Sequence, residues 1–172
     1  NDLATSCLPA ALQTDPRVRP VSDLKQQAGA IASAFFGYPS EALALAAVTG
    51  TNGKTSVATF CRQIWEAFGA PACNLGTTGV EGSWTYPLRH TTPDPLTLHS
   101  VLAQAHDAGV THLAMEASSH GLDQKRLDGV VLQAAGFTNF TQDHLDYHKT
   151  FDAYFEAKMG LFTRVLGDEA VA

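Results

Sequence analysis

The chain has 172 residues, 45% of them hydrophobic, which is enough for one compact domain with its own core and too little for two full domains. Its 11 basic and 17 acidic residues give a formal net charge of -6 without long runs of either sign, which argues against a nucleic acid or an anionic membrane as partner. No stretch approaches the roughly 18 consecutive apolar residues that a membrane span requires.

The cysteines and the first residues indicate a reducing compartment. Cys7, Cys61 and Cys73 are odd in number and lack the spacing of metal ligands, so they predict neither a disulfide framework nor a zinc site. The start at Asn1 has neither the layout of a signal peptide nor an initiator Met. We therefore expect a cytoplasmic protein, of which this chain is a piece.

The amino-terminal part predicts irregular chain followed by one helix. The first 21 residues mix prolines and small residues without sustained periodicity, which is typical of irregular structure. From Ser22 onward, apolar residues recur at helical spacing, with Ser22 placed to cap the start of the helix and Gly37 to end it.

A strand, a glycine-containing loop and a second helix follow. Residues 43–48 predict a buried strand, and the next helix is expected to end at Gly69. This order opens a βαβ unit. The stripe that we expect to face the core consists of Val57, Phe60, Cys61, Ile64, Trp65 and Phe68.

The same alternation continues to the end of the chain. It predicts a helix over residues 96–108 closed by Gly109, a strand near residues 112–115 and another over the apolar run 130–137. The last segment, residues 151–166, is again predicted helical. Strands separated by helices favour an α/β fold, a mostly parallel sheet with helices on both faces, with ligands beyond the carboxyl ends of the strands.

The segment TGTNGKT, residues 49–55, has the composition of a phosphate-binding loop between a strand and a helix. Gly50 and Gly53 allow backbone amides to turn toward an anion, Lys54 neutralises phosphates, and the Thr55 hydroxyl is a suitable Mg²⁺ ligand. The general motif has a further glycine where this chain has Val48. A strand-to-helix turn that uses glycine for geometry alone is the other interpretation.

Two further segments carry acidic and histidine side chains at predicted strand ends. Glu116 follows the strand near residues 112–115, where a carboxylate would face the loop and hold Mg²⁺. A helix-capping or surface glutamate is the alternative. Residues 138–148 contain two acids and the histidines His144 and His148, a density that favours a metal or substrate site, although a histidine taken alone is more often structural.

Four more motifs complete a pattern that resembles the Mur ligases, and within them the muramoyl-tripeptide synthetases. They are HTTPDP at residues 90–95, MEASSHGLDQKR at 115–126, FTNFTQDHLDYH at 137–148 and AKMGLF at 157–162. The resemblance runs from about residue 39 to 166. It implies a P-loop NTPase-like Mur ligase central domain that binds ATP over residues 39–172, preceded in residues 1–38 by a remnant of an amino-terminal domain and its linking helix.

The resemblance also assigns roles to single residues. Thr55 and Glu116 would hold one Mg²⁺ and His144 a second, while Lys158 matches a family lysine that is carbamylated and so becomes an anionic metal ligand. The implied catalytic residues are Lys54, Glu116, His144 and Lys158. The implied ATP contacts are Gly50, Thr51, Asn52, Gly53, Lys54, Thr55 and Ser56, with Asn52 and Asn139 also supporting the ligands from behind. The implied muropeptide contacts are Thr91, Thr92, Ser118, Gln124 and Arg126.

The reaction implied is ATP-dependent formation of an amide bond. The D-glutamate carboxylate of UDP-N-acetylmuramoyl-L-alanyl-D-glutamate attacks the γ-phosphate, and the amine of meso-diaminopimelate, preferred over L-lysine, then displaces phosphate from the acyl phosphate. All implied partners are small molecules, with no nucleic acid, membrane or obligate protein partner. Complete family members carry two further domains, so this chain alone is expected to bind nucleotide weakly and to be inactive.

Departures from the family pattern leave two other functions open. Ala47, Ala117 and Gln142 stand where the family more often has glycine, valine and a basic residue, and none of them removes an implied ligand. A folylpolyglutamate synthetase-like ligase would share Lys54 and Glu116 but bind a folate. A non-catalytic nucleotide-binding module would give His144 and Lys158 no Mg²⁺-dependent role.

Overall fold

The computed structural model describes residues 9–19 and 21–172, so Cys7 and Pro20 lie outside the described residues. Its centre is a five-stranded sheet in the order β3-β2-β4-β1-β5, in which every neighbouring pair is parallel except β2 and β3. The predicted mostly parallel sheet is therefore confirmed. The strands are β1 (Ala44–Thr49), β2 (Ala72–Gly76), β3 (Gly79–Gly82), β4 (His112–Glu116) and β5 (Ala134–Phe137).

Helices connect the strands and cover both faces of the sheet. Alternate β1 residues point to opposite faces: Leu45 belongs to the larger core with Leu98 and Leu102 of α4, and Val48 packs with Ala58 of α3. The helices are α1 (Ala10–Gln13), α2 (Leu24–Phe35), α3 (Lys54–Ala67), α4 (Pro95–Asp107), α5 (Ser119–Asp123), α6 (Leu145–His148) and α7 (Phe151–Gly160). A 3₁₀ turn spans Pro39–Ala42, and a π turn, Leu161–Val165, extends α7.

The predicted elements are present, with four differences. The helix predicted from Ser22 begins at Leu24, and Asp23, in a left-handed conformation, occupies the position before it. Residues 1–21, predicted irregular, include the short α1. Only the second half of the apolar run 130–137 is a strand, and the predicted terminal helix changes to π geometry at Leu161.

The apolar stripe predicted to face inward on α3 is wrong for most of its members. Cys61 and Trp65 pack against Ala58 and the sheet as predicted. The other four side chains are 37% to 85% exposed; they are Val57, Phe60, Ile64 and Phe68. The contact with the sheet is made one residue farther along the helix, where the small side chain of Ala58 allows close approach.

The β2–β3 hairpin was not predicted. Its strands are joined directly by the turn at residues 77–78, and β2 is entirely buried. Among the described residues, no helix has the length and apolar content needed to cross a membrane. Because β1, β4 and β2 are parallel neighbours, their carboxyl ends meet at one edge of the sheet, where Thr49, Glu116 and Gly76 end the three strands.

Candidate functional site

The loop between β1 and α3 has a backbone that only glycine adopts easily. Gly50 and Gly53 have φ values of 136° and 86°. A Cβ at Gly50 would lie 2.0 Å from the Thr138 hydroxyl oxygen, so the loop also lacks room for a side chain there. Helix α3 starts at Lys54 without a side-chain cap, which leaves amides of its first turn available to an anion.

Asn139, which follows β5, makes hydrogen bonds to this loop. Its side chain accepts a hydrogen bond from the Asn52 amide at 3.0 Å and donates one to the Asn52 carbonyl at 3.0 Å. Its own carbonyl accepts from the Thr51 amide at 2.9 Å. Three hydrogen bonds thus fix the conformation of the loop in the absence of any ligand contact.

Two lysines converge on one carbonyl of the loop. The Lys54 ammonium donates to Gly50 O at 2.9 Å and to Thr51 O at 2.8 Å, and Lys158 of α7 donates to Gly50 O at 2.6 Å. Lys158 is 1% exposed and its Nζ lies 4.5 Å from the centre of the Tyr154 ring. Burial and, after it, the charge of Lys54 lower the pKa of Lys158 to about 8.

Glu116 is a buried carboxylate at the end of β4. It is 2% exposed, and its Oε1 accepts hydrogen bonds of 2.9 Å from the Thr55 hydroxyl and from the Thr77 amide. Burial lowers the pKa of Lys54, and the charge of Glu116 opposes that shift. Gly76 makes room for the carboxylate, because a Cβ there would lie 1.9 Å from Oε1.

His144 reaches the same edge from the loop before α6. It has a φ of 52°, its side chain is 46% exposed, and its Nε2 lies 3.6 Å from an Asp143 carboxylate oxygen. Its ring meets the His120 ring edge-on at 4.9 Å, and His120 also contacts Tyr147 at 4.1 Å and His148 at 5.5 Å. His148 is buried, and burial, followed by the charge of His120, lowers its pKa.

The residues expected to grip a peptide substrate fall into two groups. Thr91 presents its hydroxyl 3.0 Å from that of Thr77. Thr92, by contrast, is 1% exposed, and its hydroxyl donates to the Glu116 carbonyl at 2.9 Å and accepts from the Ser118 amide at 3.0 Å. It therefore holds the end of β4 and the start of α5 together.

Arg126 and Gln124 lie beside this group. Arg126 donates to the Thr92 carbonyl at 2.7 Å and, through Nε and Nη2, to Gln124 Oε1 at 3.1 and 2.6 Å. The Gln124 amide nitrogen donates to the Tyr147 hydroxyl oxygen at 3.1 Å. Because these contacts use three of its five N–H groups, the guanidinium keeps two for a carboxylate or phosphate.

One open cavity of about 260 Å³ joins most of these side chains. Gly50, Ser56, Thr92, Gln124 and Arg126 of the predicted set do not line it. Thr77 and Ser119 line it without having been predicted; the position of Thr77 directly after a strand beside β4 is the signal that could have identified it. The lining residues are Thr51, Asn52, Gly53, Lys54, Thr55, Thr77, Thr91, Glu116, Ser118, Ser119, His144 and Lys158.

The donors around this cavity suit a hard cation and an anion together. Within residues 9–19 and 21–172, no group of three or more His, Cys, Asp or Glu side chains could hold a metal ion. A carboxylate and a hydroxyl 2.9 Å apart, with Lys54 and a helix start beside them, instead match Mg²⁺, which retains several waters and is shared with phosphate oxygens. A carboxylate, a hydroxyl and a lysine are also the side chains that phosphoryl-transfer sites use.

Comparison with known proteins agrees with this geometry. Residues 48–172 match the Mur ligase middle domain. The chain is 52% identical over 164 residues to the UDP-N-acetylmuramoyl-L-alanyl-D-glutamate--2,6-diaminopimelate ligase of Agrobacterium fabrum (strain C58), covering 94% of this chain and 33% of that protein. It is 54% identical over 153 residues to the ligase of the same name from Brucella melitensis biotype 1, covering 88% of this chain and 31% of that protein.

A solved structure with the same ligase name superimposes with a TM-score of 0.74 at 34% identity, covering 90% of this chain and 32% of that one. The chain thus spans about a third of the length of the relatives it matches. Fold, site geometry and sequence identity agree: this chain belongs to the Mur ligase family.

Proposed function

We propose that the protein carrying this chain is an ATP-dependent ligase that adds the third amino acid to UDP-N-acetylmuramoyl-L-alanyl-D-glutamate during peptidoglycan precursor synthesis. The observation that carries the proposal is the buried Glu116 carboxylate, which hydrogen-bonds Thr55 of the phosphate loop at 2.9 Å. Because the relatives are named 2,6-diaminopimelate ligases, we favour diaminopimelate over lysine as the incoming amino acid.

ATP would lie against the loop at the start of α3. The uncapped amides at the start of α3 and the ammonium of Lys54 are the groups that suit its β- and γ-phosphates. The Thr51 and Asn52 amides already donate to Asn139, which thereby fixes the loop that leads into the helix. Positioning and charge stabilisation, rather than a protein nucleophile, then supply the catalysis of transfer to the substrate carboxylate.

Thr55 and Glu116 are the proposed ligands of one Mg²⁺, and His144 and Lys158 serve a second. Glu116 fits this role because it is buried and the groups that donate to it, the Thr55 hydroxyl and the Thr77 amide, are neutral, so a bound cation would offset the cost of burying its charge. When bound, Mg²⁺ neutralises charge that develops on the transferring phosphoryl group. Lys54 adds its own positive charge beside the loop.

Lys158 fits the role of a carbamylated lysine better than that of an ordinary cation. Formation of a carbamate requires the neutral amine, which attacks CO₂, forms the N–C bond and loses a proton. Since burial and Lys54 lower its pKa to about 8, about a tenth of the amine is neutral at pH 7, far more than for a lysine with the ordinary pKa. The product exchanges a buried cation beside Lys54 for an anion, and its N–H can still donate to Gly50 O.

The muropeptide would occupy the side of the cavity formed by Thr91 and Ser118, with Arg126 and Gln124 behind it. Arg126 suits a carboxylate or a phosphate of the substrate. The domain organisation belongs to the same proposal: residues 1–38 as a remnant of the uridine-binding domain with its linking helix, and residues 39–172 as the ATP-binding part. A ligase that uses ATP and a UDP-linked precursor would act in the cytoplasm.

Calorimetric titration tests the proposal. The chain is titrated with a non-hydrolysable ATP analogue and Mg²⁺ and then with UDP-N-acetylmuramoyl-L-alanyl-D-glutamate, and both are expected to bind. Lys54→Ala should abolish nucleotide binding by removing phosphate neutralisation, whereas Lys25→Ala on α2 serves as the matched control. Unchanged nucleotide affinity in Lys54→Ala would contradict the assigned loop, and a folate ligand bound in place of the muropeptide would contradict the assigned substrate.

A further inference from the structure

We propose that Tyr147 is a positioning residue. Through its hydrogen bond to Gln124 it orients the Gln124 and Arg126 side chains, which the proposed function assigns to muropeptide binding, so this inference rests on the proposed function. Tyr147 lies in the last turn of the short helix α6, which begins directly after His144. Its hydroxyl donates to an Asp123 carboxylate oxygen at 2.7 Å and accepts from the Gln124 amide nitrogen at 3.1 Å. The hydroxyl therefore joins α6 to the end of α5.

The directions of these hydrogen bonds follow from the chemistry of the groups at each end. Arg126 can only donate, so the atom of Gln124 that faces it is the oxygen, at 2.6 and 3.1 Å. The Asp123 carboxylate can only accept, so the Tyr147 proton points toward it. The Tyr147 oxygen is consequently an acceptor toward Gln124, and the carboxamide has one favourable orientation.

The hydrogen bonds continue from Arg126 to the end of β4. Arg126 donates on its other side to the Thr92 carbonyl at 2.7 Å, and the Thr92 hydroxyl donates to the Glu116 carbonyl at 2.9 Å. A continuous series of hydrogen bonds thus runs from the strand that carries Glu116 to the helix that follows His144. Tyr147 closes it, because no other side chain in the series belongs to α6.

Without the hydroxyl, the Gln124 carboxamide can rotate and Arg126 loses its fixed acceptor. Tyr147→Phe removes only the oxygen and keeps the ring, which packs 4.1 Å from His120 and 4.8 Å from His148. We expect KM for the muropeptide to rise about three- to tenfold, as for loss of one hydrogen bond, while kcat and KM for ATP change less than twofold.

The experiment is a double-mutant cycle in the complete protein that carries this chain. Tyr147→Phe, Gln124→Ala and the double variant are compared by steady-state kinetics with each substrate varied in turn. If Tyr147 acts through Gln124, the effect of Tyr147→Phe on the muropeptide KM disappears in the Gln124→Ala background. Asp123→Ala, which removes the acceptor that holds the Tyr147 proton and lets it turn toward Gln124, should raise the same KM selectively.

Tyr38→Phe is the matched control, since Tyr38 is 52% exposed and precedes β1 at the opposite end of the sheet. An unchanged muropeptide KM in Tyr147→Phe, an equal rise in both substrate KM values, or additive effects in the cycle would overturn the positioning role. If the parent protein does not turn over UDP-N-acetylmuramoyl-L-alanyl-D-glutamate, the proposed function itself is refuted; an active parent with an unselective variant refutes the Tyr147 inference alone.

Discussion

Carbamylation of Lys158 yields the most direct prediction from the site. With a pKa of about 8, about half of the Lys158 amines are neutral at pH 8, against about 0.3% for a lysine with the ordinary pKa of 10.5. The environment therefore raises the concentration of the reactive amine by a factor of about 150. Lys158 should react with CO₂ in preference to exposed lysines such as Lys25.

The assay is ¹³C NMR of the protein equilibrated with ¹³C-bicarbonate and Mg²⁺ at pH 8. Besides the carbamate of the terminal α-amine, one carbamate resonance is expected for the parent protein and for Lys25→Ala, and this resonance should be absent from Lys158→Ala. In the complete protein, Lys158→Ala should retain nucleotide binding but lose ligation, and short carboxylic acids should restore part of it by supplying the missing anionic oxygens. A resonance that persists in Lys158→Ala, or its absence from the parent, would refute the reasoning.

Two further predictions concern buried groups. Gly76→Ala places a Cβ 1.9 Å from the Glu116 carboxylate, so the carboxylate must move away from Thr55. We expect at least about a tenfold loss of Mg²⁺-dependent ligation in kinetic assays of the complete protein. Urea unfolding should show that the free energy of unfolding falls by about 1–3 kcal/mol. Gly136→Ala, which meets nothing within 4 Å, is the control, and equal effects of both would contradict the steric argument. His99 is fully buried with neither ring nitrogen hydrogen-bonded in the part of the chain that the structure describes, and burial lowers its pKa to about 4. As pH falls, the unfolded chain takes up the His99 proton before the folded protein does, so stability is lost between about pH 6.5 and pH 4. The loss is about 2 kcal/mol between pH 7 and pH 5. Urea unfolding of His99→Leu should lack this pH-dependent loss, and the same pH dependence in the variant and the parent protein would disprove the argument.

The sequence predicts the fold where the pattern reflects backbone constraints. The mostly parallel sheet, the glycine loop and the ends of helices at Gly37 and Gly109 were predicted because strand alternation and left-handed glycines leave local signatures; both glycines have positive φ. The α3 stripe failed because hydrophobicity alone cannot distinguish a large exposed side chain such as Phe68 from a small buried one such as Ala58. The hairpin was missed since β2 and β3 are short and rich in glycine.

In the candidate site, too, residues with a local sequence signal were predicted and residues placed by long-range contacts were not. Lys54, Thr55 and Glu116 follow from a local motif and the end of a strand. Lys158, however, meets Gly50 across 108 residues of chain, and its burial on α7 has no periodic signal, so only the family resemblance indicated it. Tyr147 and His120 were not predicted as site residues for a related reason. Their contact joins α5 to α6, and contacts between short helices depend on loop paths that the sequence does not specify.

The two lysines on the Gly50 carbonyl have a consequence for how the nucleotide arrives. The carbonyls of Gly50 and Thr51 accept from Lys54 in the way that phosphate oxygens would. In the proposed nucleotide complex, Lys54 would exchange these two hydrogen bonds for phosphate contacts, while Lys158 keeps the Gly50 carbonyl hydrogen-bonded. The net binding free energy is the difference between the new phosphate contacts of Lys54 and the two hydrogen bonds that it gives up. A ligand with a single weak anionic group should therefore fail to displace Lys54 from the carbonyls, whereas a triphosphate should succeed.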